Sequence, residues 1–198
     1  MRVLGFAGSL RRASYNRRLV ESAARFFPEG VELSCWPGIA DLPAYNEDLD
    51  GRSPPPAAVR LRTAIQTADA LLFATPEYNS SIPAGLKNLL DWASRPYATN
   101  VLRQKPVAVV GASTGFFGAV WAQAELRQVL RACGARVLDR QLPVGRAAEA
   151  FAPDGSLGDP TLADALAEIV DQLVYLVSGT RMNCGCGEPR TDRVRAVA

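Results

Sequence analysis

Apolar residues form two kinds of run that alternate along the chain. Continuous apolar runs predict strands at 2–7, 31–35, 69–75, 106–112 and about 136–142. Apolar positions with a helical period predict helices at 16–27, about 55–67, 83–94, 118–133 and 160–178. Continuous apolar strands are typical of parallel sheets covered by helices on both faces. The pattern therefore predicts a doubly wound α/β domain with right-handed crossovers.

Three predicted strands end in loops with the composition of ligand sites. Strand one is followed by Gly8–Asn16, strand three by Thr75–Pro83 and strand four by Gly111–Gly118. In an open parallel sheet, ligands bind beyond the carboxyl ends of the strands, where the strand order reverses. For the order 2-1-3-4-5 that point lies between strands one and three. We therefore expect the three loops to form one site.

The first loop has the features of a phosphate site. A helix N-terminus leaves backbone N–H groups unpaired and carries about half a positive charge, so it stabilises an anion. Ser9, Ser14 and Asn16 add short polar donors, and Arg11 adds a charged planar one. The loop is neither a dinucleotide GxGxxG motif nor a GxxxxGK[ST] motif, which points to a different phosphate ligand. The competing interpretation is an ordinary helix cap beside solvated arginines.

Composition narrows the class of protein. The 198 residues suit one domain, predicted over 1–180, followed by a polar tail at 181–198. The absence of a long apolar run predicts no membrane span, and a net charge of +2 makes nucleic acid an improbable partner. Four cysteines without a disulfide-like spacing favour a reducing cytoplasm. With no histidine, the usual general base and zinc ligand are missing, so a cofactor should carry the chemistry.

Two sequence motifs together are specific. The first is Gly8-Ser-Leu-Arg-x-x-Ser-x-Asn16. The second is Pro76-Glu-Tyr-Asn79 followed by Pro83-x-x-Leu-Lys-Asn-x-x-Asp-Trp92, and a third motif runs from Gly118 to Leu130. These motifs resemble those of the NADPH-dependent FMN reductase family, a flavodoxin-like group that includes quinone, chromate and azo-dye reductases. The resemblance covers roughly residues 2–178. It implies a flavodoxin-like, five-stranded parallel sheet of order 2-1-3-4-5 with helices on both faces.

The resemblance also implies a cofactor site and an activity. It assigns the FMN phosphate to Ser9, Arg11, Ser14 and Asn16. It assigns the isoalloxazine ring to Pro76, Glu77, Tyr78 and Asn79, mostly through backbone groups, and to Ser113, Thr114 and Gly115. Hydride would pass from NADPH through bound FMN to a small acceptor: a quinone, free flavin, azo or nitro compound, or chromate. A homodimer or homotetramer is a further family expectation.

Two other functions stay open at this stage. Gly111-Ala-Ser-Thr-Gly115 fits the G-x-S-x-G nucleophile elbow of a serine hydrolase, but Ser113 would have no histidine as its base. A non-enzymatic electron carrier of flavodoxin type would bind FMN without reacting directly with NADPH. The chain also departs from the family at Trp121, where many relatives carry arginine. Trp121 therefore fits a subunit contact and a core position equally well.

Overall fold

The computed structural model describes residues 1–179, so the predicted tail at 181–198 lies outside the described residues. Its strands form one parallel sheet in the order β2-β1-β3-β4-β5, with β6 also pairing with β4. The strands are β1 (Arg2–Ala7), β2 (Glu32–Cys35), β3 (Ala70–Thr75), β4 (Pro106–Ala112), β5 (Arg136–Val137) and β6 (Pro143–Val144). The predicted strand order is confirmed.

Helices cover both faces of this sheet. They are α1 (Tyr15–Ala23), α2 (Pro56–Thr67), α3 (Ala84–Ala93), α4 (Val120–Ala132), α5 (Ala147–Ala150) and α6 (Pro160–Ser178). Side chains of β3 alternate between two buried clusters, as the period of a strand requires. Leu71 and Phe73 pack with α2, α3 and α4, whereas Leu72 packs with α1 and α6. The central strands are thus buried on both faces, which explains their continuous apolar sequence.

The fifth predicted strand, 136–142, is divided into β5 and β6. Between them Asp139 and Arg140 leave the sheet and form exposed ion pairs with Arg131 of α4 and Glu168 of α6. The buried side chain of Gln123 fills the break, accepting from Leu142 N at 3.2 Å and donating to Gly118 O at 3.0 Å. The predicted strand is therefore interrupted where Asp139 and Arg140 pair with helices on the two faces of the sheet and do not continue the strand.

The long segment 36–56, which shows no clear hydrophobic period in the sequence, packs against α3. It contains two 3-10 turns, Gly38–Asp41 and Glu47–Leu49. The α3 side chains of Asn88 and Trp92 both donate to Pro43 O, at 2.9 and 2.8 Å. Trp92 is fully buried, so this face of α3 belongs to the core.

Candidate functional site

The loops after β1, β3 and β4 meet at the carboxyl edge of the sheet, around a cleft of about 90 Å³. Nine of the eleven predicted site residues line it, together with Tyr15 and Ala112: Ser9, Arg11, Ser14, Asn16, Pro76, Glu77, Tyr78, Ser113 and Thr114. Asn79 and Gly115 belong to the same loops but do not line this cleft. The three loops predicted to form one site are therefore adjacent in space.

The loop after β1 starts at Gly8, which packs closely against the end of β3 and the loop that follows it. Gly8 N donates to Ala74 O at 2.8 Å, which fixes the loop beside the end of β3. A Cβ on Gly8 would lie 3.0 Å from Pro76 Cδ and 3.1 Å from Leu86 Cδ2. Such distances leave little room for a larger side chain. Glycine here therefore allows the first two loops of the site to approach each other.

Beyond Gly8 the donors of this loop are free within residues 1–179. No backbone N–H from Ser9 to Ala13 makes a hydrogen bond in that part of the chain. The Ser9 hydroxyl and the exposed Arg11 guanidinium also have no partner there. Several unpaired N–H groups with a free arginine form a concave donor set suited to an anion with several oxygens. The donor set therefore fits the phosphate of FMN.

Two buried polar side chains hold the start of α1. Ser14 is the N-cap residue, and its Oγ accepts from Arg17 N at 3.1 Å, so its hydroxyl proton can still be donated. Asn16 binds Ala112 twice: its Nδ2 donates to Ala112 O and its Oδ1 accepts from Ala112 N, both at 2.9 Å. The Asn16 amide thus joins α1 to the end of β4, a structural role that the sequence motif did not indicate.

The loop after β3 is a tight turn. Tyr78 and Ser81 exchange backbone hydrogen bonds of 3.0 and 3.1 Å. The residues between them, Asn79 and Ser80, have φ values of 53° and 60°. Positive φ at both central positions is the pattern of a type I′ turn, in which asparagine is favoured. The turn leaves Tyr78 48% exposed at the edge of the cleft.

Glu77 caps a helix that has no cap residue of its own. Helix α4 follows Ala119, which has a φ of 61° and no side-chain oxygen. The Glu77 carboxylate supplies the missing acceptor, binding Trp121 N and Ala122 N at 3.0 Å each. On the same helix, Glu125 accepts from Ile82 N at 3.3 Å. The sequence analysis placed Glu77 at the ring mostly through backbone groups and did not predict this cap. The signal for the side-chain role was the start of α4, which has no cap residue of its own.

The loop after β4 is bound to the segment that follows β6. Ser113 N donates to Val144 O at 3.0 Å, and Arg146 N donates to Gly115 O at 2.9 Å. Within the loop, Ser113 Oγ accepts from Gly115 N at 3.1 Å. A Cβ on Gly145 would overlap the carbonyl of Phe116, so glycine is needed where the two segments cross. Ser113 Oγ is thus used in a local turn.

The two cysteines of residues 1–179, Cys35 and Cys133, do not line this cleft. Burial raises the pKa of the Cys35 thiol, which lines a neighbouring cleft, and burial likewise raises the pKa of Cys133. Both thiols therefore stay protonated at neutral pH.

Within residues 1–179, no group of three or more His, Cys, Asp or Glu could hold a metal ion. No helix among those residues is long and apolar enough to cross a membrane.

The sheet order and the phosphate-type loop at the switch point define a flavodoxin-like α/β protein. The family model for NADPH-dependent FMN reductases matches residues 1–149, and the chain belongs to this family. It is an oxidoreductase that uses FMN and NAD(P)H. The resemblance found in the sequence motifs is confirmed.

Individual relatives agree with this assignment. A NAD(P)H-dependent FMN reductase of Pseudomonas aeruginosa is 42% identical over 173 residues, 87% of this chain and 90% of that protein. A quinone reductase of Pseudomonas putida is 41% identical over 157 residues, 78% of this chain and 83% of that protein. Among solved structures, FerB, a flavoenzyme NAD(P)H:(acceptor) oxidoreductase from Paracoccus denitrificans, has a TM-score of 0.80 and 38% identity, covering 90% of this chain and 97% of FerB.

Proposed function

We propose that this oxidoreductase binds FMN at the carboxyl edge of the sheet and reduces quinones with NAD(P)H. The free donor set of the loop after β1 carries the proposal. Ser9 and Arg11 line the cleft, and the backbone N–H groups from Ser9 to Ala13 have no partner within residues 1–179. Because charge-assisted hydrogen bonds are about twice as strong as neutral ones, Arg11 contributes most to phosphate affinity.

Ser14 and Asn16 have different roles in this proposal. Ser14 donates its hydroxyl proton to the phosphate while its oxygen keeps the N-cap bond to Arg17 N. Asn16 uses its Oδ1 and one Nδ2 proton on Ala112, which leaves a single N–H for the ligand. Asn16 therefore acts mainly by fixing α1 against β4, and only secondarily as a donor.

The remaining predicted residues form the ring site. Pro76, Glu77 and Tyr78 of one loop and Ser113 and Thr114 of the next line the cleft, and Asn79 and Gly115 follow them in the same two loops. When bound, FMN supplies the chemistry of accepting a hydride from the reduced nicotinamide and passing the electrons on. The Glu77 cap keeps these two loops in a fixed relation, so the backbone groups that would hold the ring are positioned before it binds.

A quinone is the acceptor that suits the surface beside the cleft. An apolar cleft of about 520 Å³ is lined by Leu10, Tyr78 and Pro83. It shares Arg11 and Tyr78 with the proposed FMN cleft. Its walls are mostly apolar and include an exposed aromatic ring, features that suit a flat aromatic acceptor. The Pseudomonas putida and Escherichia coli relatives are quinone reductases, which supports the same class.

The test is a spectrum and a rate. Purified protein should be yellow, or become so with added FMN, and should oxidise NADPH with benzoquinone in the absence of a partner protein. Free FMN as the acceptor is the comparison: a higher kcat/KM for benzoquinone supports the proposed acceptor class. Protein that stays colourless with added FMN would contradict the proposed site, and a higher kcat/KM for free FMN would contradict the quinone assignment.

The two competing functions give different results in the same assays. A flavodoxin-type carrier would bind FMN but show no steady-state NADPH oxidation without a partner protein. A serine hydrolase would form a covalent adduct at Ser113 with a fluorophosphonate probe. The Ser113 hydroxyl accepts from Gly115 N, and the chain contains no histidine to serve as its base. These observations support the oxidoreductase over the hydrolase.

The proposal also includes assembly and location: a homodimer or homotetramer in the reducing cytoplasm. Support for assembly comes from exposed aromatic side chains on the loop after β4 and on α4. Phe116 is 71% exposed, Phe117 60% and Trp121 49%. Clustered exposed aromatic residues mark interfaces in many proteins. Light scattering on the purified protein tests this, and a monomer at micromolar concentration would contradict it.

A further inference from the structure

A second cleft lies next to the proposed FMN site, on the other side of the loop after β1. Its volume is about 230 Å³, and it lies between this loop, the start of α1 and the segment after β2. Arg12 and Arg17 line it on the α1 side, and Trp36 and Pro37 line it on the β2 side. Ser9 and Arg11 line both clefts, so the two are adjacent.

The charge of this second cleft is positive and largely uncompensated. Three arginines and no acidic residue line it. Arg12 has no hydrogen bond or ion pair within residues 1–179. Arg17 pairs with Glu21 at 3.1 Å, but both side chains are more than half exposed, and such pairs contribute at most about 1 kcal/mol. Arg17 can therefore exchange this partner for a ligand anion at little cost.

The opposite wall is an immobilised aromatic ring. The Trp36 ring packs against Phe6, with centroids 6.0 Å apart, and Gly38 lies close against it. A Cβ at Gly38 would come within 2.9 Å of the Trp36 ring, so glycine allows the chain to cross the indole. The wall continues with Ile39 and Ala40. A fixed, half-buried indole beside small apolar groups suits a flat heterocycle.

Arginines on one wall and an indole on the other fit a phosphate joined to a purine. FMN carries a single phosphate, and the first cleft already has a donor set for it. We propose that the second cleft binds the adenosine 2′-phosphate end of NADPH, and that Arg12 and Arg17 make the protein prefer NADPH over NADH. This inference rests on the proposed FMN site, because the shared residues Ser9 and Arg11 bring the dinucleotide to the flavin.

Binding of adenosine 2′,5′-bisphosphate and of 5′-AMP, measured by calorimetry on FMN-loaded and on flavin-free protein, tests the site directly. We expect the bisphosphate to bind at least about 10-fold more tightly than AMP, since one charge-assisted contact is worth that much. The double variant Arg12→Gln with Arg17→Gln should lose this difference. Trp36→Leu should weaken both ligands by a similar factor. Equal affinity of the wild type for the two ligands would overturn the proposal.

Steady-state kinetics give the second readout. The double variant should lose about 10- to 100-fold in kcat/KM for NADPH, with kcat/KM for NADH unchanged within about twofold. Arg18→Gln is the matched control, because Arg18 stands on the same helix, lies over the Tyr15 ring and does not line the cleft. Equal losses with NADPH and NADH would overturn the proposal. Failure to bind FMN would contradict the proposed function instead, and the measurements on flavin-free protein would still decide the nucleotide site.

Discussion

The two sides of the proposed FMN cleft are built in opposite ways. On one side, the loop after β1 has free backbone N–H groups from Ser9 to Ala13 and a guanidinium at Arg11 without a partner in residues 1–179. On the other side, the loops after β3 and β4 use most of their polar groups on each other and on their neighbours. Glu77 binds α4, and Ser113 binds Gly115 and Val144.

This difference separates binding from positioning. The donors of the first loop are exposed or half-exposed, so water can satisfy them until a ligand binds, and they remain available to that ligand. Bonded groups in the other two loops hold the backbone in one arrangement and are not available to the ligand. Substitutions on the first side should therefore change affinity more than stability, and substitutions on the second side should do the reverse.

The largest expected effect follows from removing charge and hydroxyl on the first side. Arg11→Ala combined with Ser14→Ala should weaken FMN binding by at least about 100-fold, since hydrogen bonds to charged groups contribute about 1.5–3 kcal/mol each. The loss of the Ser14 cap should lower stability by only about 1 kcal/mol. Fluorescence titration of FMN into apoprotein measures the affinity, and a thermal melt measures the stability.

Arg18→Ala is the control for that double variant, because Arg18 is an exposed arginine on α1, directly after the loop, and does not line the cleft. It should retain wild-type FMN affinity. Full flavin occupancy in the double variant, with the fold intact, would mean that the first loop does not hold the phosphate.

The next effect tests whether Asn16 belongs to the positioning side. Asn16→Ala removes both partners of the buried Ala112 backbone, and we expect it to lower the free energy of unfolding by about 2–4 kcal/mol. Asn46→Ala is the matched control: the Asn46 side chain accepts from Asp48 N at an exposed turn, and its loss should cost about 1 kcal/mol or less. Urea denaturation of both apoproteins gives the comparison. If the two variants lose the same small amount of free energy of unfolding, Asn16 does not position α1 against β4 and its role would be ligand binding.

The local sequence indicates the first side of the proposed site more directly than the second. Donors for a phosphate must follow a strand and precede a helix, so Ser9, Arg11 and Ser14 could be recognised from local order alone. The bonds from Glu77 to α4, from Asn16 to β4 and from Gln123 to Leu142 join residues 19 to 96 positions apart. No local period encodes such bonds. The division of the fifth strand was missed for the same reason, since the ion pairs of Asp139 and Arg140 depend on both neighbouring helices.

A smaller effect should come from the Glu77 cap. Glu77→Ala removes two hydrogen bonds and a negative charge from the start of α4, which together contribute about 1–2 kcal/mol. The melting temperature of the apoprotein should fall by about 2–8 °C. Glu77→Gln keeps an acceptor oxygen, so its melting temperature should lie between those of Glu77→Ala and the wild type. The FMN dissociation constant should change by less than about 10-fold in both variants. A larger change with an unchanged melting temperature would mean that the Glu77 carboxylate contacts FMN and does not act as a helix cap.

The smallest expected effect is at Ser113, where the hydrolase and the oxidoreductase interpretations differ most. Ser113→Ala removes a single neutral hydrogen bond, from Gly115 N, in a half-exposed turn, so stability should fall by about 0.5–1.5 kcal/mol. NADPH oxidation with benzoquinone should stay within about threefold of the wild type, because backbone groups of this loop face the proposed ring site whether or not the hydroxyl is present. Complete loss of turnover with retained flavin would instead give the hydroxyl a direct role at the reacting atoms. The loop after β4 would then take part in the chemistry as well as in positioning, and the separation of binding from positioning would not hold for this loop.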